Sequence, residues 1–148
     1  MNSHPYLRAY MAGVAAPSAA LLIALTFFVL MRLVCHIPIP IERFIIFPMA
    51  VVPSAFGIWN IVYLRLKPHR SLPIGLHGAL LPVILVTIGA VSALASGLIV
   101  TDSHGVTWFG AVSASYSLLV PWFFGLMVLY YLIWKYVVGF LNRVLGIA

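Results

Sequence analysis

The sequence predicts an all-α polytopic membrane protein, with four transmembrane helices packed as one compact bundle over residues 1–148. Three observations lead there. Four apolar blocks, about Met11–Val34, Phe44–Leu64, Ile74–Val100 and Ser113–Val138, fill most of the chain. At about 1.5 Å per residue each can cross the ~30 Å hydrocarbon core of a bilayer. Composition agrees, with 64% hydrophobic and 7% charged residues, where a soluble domain carries about 25% charged. The connections, roughly a dozen residues long, leave no room for a soluble domain.

The first block follows Arg8 and resembles a targeting signal only superficially. It is too long for a signal-peptide h-region and runs into Leu33-Val34-Cys35-His36 with no small-residue cleavage site, so a retained helix is expected. Ala12, Ala16, Ala20 and Ala24 recur every four residues along it. In lipid, where the hydrophobic drive between helices is absent, such small residues allow close backbone approach. The third block offers a similar stripe in Gly89, Ala93 and Gly97. Pro48, Pro53, Pro82 and Pro121 lie within blocks, and each removes a backbone donor.

An internal repeat is suggested at an offset of 68 residues, with halves 1–68 and 69–148. Val52-Pro53-x-x-Phe56-Gly57 and Tyr63-Leu64-x-x-Lys67 recur as Val120-Pro121-x-x-Phe124-Gly125 and Tyr131-Leu132-x-x-Lys135, and seven of 16 positions agree. The same offset sets His36 on His104 and Pro5 on Pro73. Duplication of a two-helix hairpin would produce this pattern. So would two helices that leave the membrane on the same side, since both then favour an aromatic and a cation at that end.

Basic residues predict the orientation. Four spans put the N-terminus, the second connection and the C-terminus on one side, which carries Arg8, Arg65, Lys67, Arg70, Lys135 and Arg143, while the other side carries Arg32 and Arg43. Both termini are therefore expected in the cytoplasm, with a bacterial inner membrane as the expected location. The net charge of +6 then lies at membrane edges facing lipid headgroups. It forms no basic stripe with interleaved aromatics, so nucleic acid is not an expected partner.

Polar groups at membrane depth are few. Asn60 and His77 sit about a turn inside the ends of consecutive blocks, so a hairpin would bring them to equal depth as an intramembrane polar pair. On the opposite side, Cys35, His36 and Glu42 fall in one connection and Asp102 and His104 in another. These are ligand types for zinc or copper, and His36 with His104 could flank a haem, but the spacings match no metal signature. No catalytic residue, metal or cofactor is expected. One cysteine excludes an internal disulfide.

With two acidic residues, Glu42 and Asp102, neither inside a block, the chain lacks the clustered carboxylates of metal-dependent lipid enzymes and the mid-membrane acid of proton-coupled carriers. The expectation is a non-catalytic structural or accessory subunit, working through helix contacts with copies of itself or with another membrane protein. A small oligomeric channel or carrier for a small or neutral solute is the alternative.

Overall fold

A computed structural model describes residues 4–36, 47–67, 72–110 and 112–147. It is mostly helical, 78%, and holds four helices long and apolar enough to span a membrane: Pro5–Val34, Met49–Leu66, Ile74–Ala95 and Tyr116–Val144. The elements in order are α1 (Pro5–Val29) with a π-helical extension (Leu30–Val34), α2 (Phe47–Leu66), α3 (Ile74–Ala95), strands β1 (Ile99–Thr101), β2 (Gly105–Trp108) and β3 (Val112–Ser115), and α4 (Tyr116–Leu132). A second π-helical segment (Ile133–Val138) then leads into α5 (Gly139–Val144).

The strands add one small sheet to the mostly helical fold that was expected, and they move two span boundaries. Ile99-Val100, placed at the end of the third block, pairs instead with Thr107-Trp108, and Val112–Ser115 pairs with Gly105–Trp108 in an antiparallel β1-β2-β3 meander. β-branched Ile99, Val100, Thr101, Val106 and Thr107 favour the pleat, and the segment between them is punctuated by helix-breaking turns. Gly97 ends α3 at φ +69, with its N–H donating to Leu94 O and that of Leu98 to Ala93 O, the two bonds of a Schellman cap. Gly97 therefore terminates α3 and does not extend its packing stripe. The first span, in turn, begins earlier than its apolar block, at Pro5, whose missing N–H costs nothing in a first helical turn.

The residues form two compact units. The first comprises Met1–Leu72 and Tyr136–Ala148, the second Pro73–Lys135. In the first, α1 packs on α2, and the C-terminal segment packs on α1. Its core consists of Ala9, Ala12, Gly13 and Pro17 from α1, Phe56, Gly57 and Asn60 from α2, and Val138 and Asn142 near the C-terminus. Spacings of three and four residues on each helix place these on one face. In the second unit α3 packs on α4, and the buried residues of α3 are Gly75, His77, Gly78, Leu81 and Pro82.

Both units use a Gly-x-x-x-Pro segment at the contact, Gly13 to Pro17 and Gly78 to Pro82. A Cβ on Gly13 would stand 2.5 Å from the Phe56 carbonyl oxygen, and one on Gly78 would overlap the Trp134 side chain. Only glycine admits that approach. The 68-residue offset does not align these two glycines, and it equates positions in different surroundings: Phe56 is 1% exposed and Phe124 is 61% exposed.

Candidate functional site

The polar centre of the first unit is built from three separate stretches of chain. α2 presents Asn60 on the same face as Phe56, one turn away, and the C-terminal segment presents Asn142 one turn beyond Val138; all four are buried. Asn60 Nδ2 donates to Asn142 Oδ1 at 2.8 Å and to the Ala9 carbonyl at 2.7 Å, while Asn142 Nδ2 donates back to Asn60 Oδ1 at 3.0 Å. A primary amide carries two N–H donors and one carbonyl acceptor. Both donors of Asn60 are engaged, and the two amides form a closed reciprocal pair.

A second bond ties the same stretches together. The last turn of α5 leaves carbonyls without helical donors. Gly146, at φ +64, closes part of that deficit through its N–H to Arg143 O and that of Ile147 to Asn142 O. Arg8 Nη1 donates to Leu145 O at 2.7 Å and supplies a cation at the negative end of the helix. Arg65 lies 5.3 Å over the ring of Tyr6, near enough for a cation–π contact.

Asn60, one of the two residues singled out as an intramembrane polar pair, is thus buried and hydrogen-bonded, and its partners here are Asn142 and Ala9. Asn142 escaped sequence reasoning because it lies beyond the fourth apolar block, beside Arg143. His77 belongs to the second unit, where it is buried and meets the Trp134 indole edge-on with centroids 5.9 Å apart. The Lys135 ammonium stands 5.6 Å from the Tyr131 ring in that unit.

The connection residues considered as metal ligands have other surroundings. Asp102 Oδ1 accepts from the backbone N–H groups of His104, at 2.7 Å, and Gly105, at 2.8 Å, which makes it the organiser of the β1–β2 turn. The His104 side chain is exposed, and its backbone carbonyl accepts from Tyr116 N–H. Cys35 is exposed with a free thiol, and His36 takes a left-handed conformation at φ 53. Glu42, Arg43 and Arg70 lie outside the described residues. Among the described residues no three His, Cys, Asp or Glu side chains are grouped to hold a metal ion.

The small-residue stripes divide. Ala12 is buried against α2's unit core, Ala16 and Ala24 are half-buried, and Ala20 is exposed. On α3, Ala93 is half-buried and Gly89 faces open space, with nothing within 4 Å of an added Cβ. Contact on α3 is made instead through Gly75, where a Cβ would come within 2.7 Å of the Tyr131 ring, and through Gly78. No protein-family model, curated protein or solved structure matches this chain.

Proposed function

We propose that this chain is a non-catalytic structural or accessory subunit of a membrane, acting through helix contacts with copies of itself or with another membrane protein. One observation carries the reading. The buried amides Asn60 and Asn142 are hydrogen-bonded to each other and to the chain's own backbone, so they serve cohesion, while long apolar stretches face outward. Beyond Pro17, α1 has no buried residue through Val34, and beyond Pro82, α3 has none through Ala95. Helices with this division fit a protein that holds itself together at one level and meets lipid or other helices at another.

The proposal includes the bilayer placement drawn from the basic residues: four spans in one bundle, a bacterial inner membrane, and both termini in the cytoplasm. A reporter fused to the C-terminus that works only outside the cytoplasm should stay silent, and a signal from it reverses the orientation. Native mass spectrometry of the protein extracted gently from its own membrane tests the subunit reading. The expected spectrum shows a stable assembly with another membrane protein or with further copies. Solute flux through liposomes holding the purified chain alone would replace this reading with the channel or carrier.

A further inference from the structure

We infer that the end of the first unit formed by the start of α1, the end of α2 and α5 binds anionic phospholipid headgroups through Arg8, Arg65, Lys67 and Arg143. The four cations come from three stretches of chain that the structure fixes to one another. Ala9 and Asn142, the immediate neighbours of Arg8 and Arg143, both hydrogen-bond Asn60, and Arg8 itself is anchored on Leu145 O. Arg65, five residues beyond Asn60 on α2, lies over Tyr6 of α1, and Lys67 follows at the helix end with its backbone N–H bonded to Tyr63 O. Arg65, Lys67 and Arg143 are exposed, and Arg8 is half-buried.

Charge complementarity selects the partner. The sequence has only two acidic residues. Asp102 belongs to the other unit and its carboxylate organises a turn there, and Glu42 lies outside the described residues. No ion pair involves the four cations among the described residues. Helix termini of spanning length place that charge at headgroup level, where each Lys or Arg near an anionic surface is favoured by roughly 1 kcal/mol, equivalent to about a fivefold change in affinity. Tyr6, Tyr10, Trp59 and Tyr63 lie on the same segments, and amphipathic rings of this kind settle at the interface. A spread of exposed cations over three helix ends suits the phosphates of a lipid leaflet better than one small enclosed anion. This inference stands independently of the subunit reading.

The test is native mass spectrometry of the full-length protein, stripped of lipid in a non-ionic detergent and titrated with phosphatidylglycerol, phosphatidylcholine or inorganic phosphate. Phosphatidylglycerol should be retained in preference to phosphatidylcholine, with inorganic phosphate a poor competitor and rising salt weakening the preference. R65Q, K67Q and R143Q, at exposed positions, should each weaken phosphatidylglycerol by about fivefold, and R32Q, in the π-helical extension at the far end of the first span, should leave it unchanged. Equal retention of the two lipids by the wild type overturns the inference. So does a triple variant that holds phosphatidylglycerol as well as the wild type, or displacement of the lipid by an equal concentration of inorganic phosphate.

Discussion

Replacing Asn60 by leucine, which has the same branching but no polar atoms, removes three hydrogen bonds at once: to Ala9 O at 2.7 Å, and with Asn142 at 2.8 and 3.0 Å. Interhelical hydrogen bonds in membranes contribute about 0.6–1.7 kcal/mol each, so the three bonds lost in Asn60→Leu should destabilise the protein by about 2–5 kcal/mol. Asn142→Leu removes two of the three and leaves Asn60 bonded to Ala9, so about 1–3 kcal/mol is expected. Each single variant also leaves a buried amide with unmet groups, which itself costs about 1–3 kcal/mol. The double variant has no such orphan. Its destabilisation should therefore fall short of the sum of the singles by at least the two shared bonds that the sum counts twice, about 1–3 kcal/mol. Equilibrium unfolding in mixed micelles of increasing SDS fraction would measure all three. Additivity within about 0.5 kcal/mol would mean that the two amides are not coupled, and the reciprocal pair would then contribute nothing as a pair.

Two further substitutions separate close helix contact from mere small size. Gly13→Leu should abolish the native fold, because its Cβ would lie 2.5 Å from the backbone of α2, whereas Gly89→Leu, into open space, should leave the thermal midpoint in detergent within about a degree or raise it, given leucine's better helix propensity. Gly97→Val should cost about 1–2 kcal/mol through its left-handed φ of +69, read as a lowered midpoint in the same SDS titration. Asp102→Ala should speed amide hydrogen exchange at His104 and Gly105, whose N–H groups the carboxylate holds, without changing protection in α1 or α2. Unchanged exchange at those two amides would show that the turn does not depend on Asp102.

How much of this was legible beforehand depended on the range of the signal. Apolar run length is a local property, so the four spanning helices stand out in the composition of each window. Short strands left no such trace. Ile99-Val100-Thr101 is as apolar as the helix before it, and only Gly97, Asp102 and the paired Phe109-Gly110 turn, both residues at positive φ, separate meander from span. Gly97 is a case of one residue type with two uses, close packing in mid-helix and left-handed termination at a helix end, and the choice between them depends on where the helix stops. The Gly13 and Gly78 contacts were recoverable in principle, since each precedes by four residues a proline that lacks the donor for the glycine's carbonyl. The alanine stripe shares one member, Ala12, with that buried face.

The buried polar centre was harder still, for a reason that lies in the depth argument. Depth along a helix can be estimated from sequence at ~1.5 Å per residue, and it placed Asn60 about a turn from its helix end. Which neighbour shares that depth is a question of topology. Consecutive helices meet at their connection, which favours a residue near the start of α3, but the last segment of a four-span chain returns to the same level as the N-terminus. Asn142 and Ala9 are Asn60's partners within its own unit, and one of the two bonds that Asn60 donates goes to a backbone carbonyl that carries no sequence signal at all. A polar residue at membrane depth thus marks its own importance through the cost of leaving it unpaired, while the identity of its partner is decided by chain return. Termini that read as tails in such a protein should be searched for amides before the interior is declared featureless.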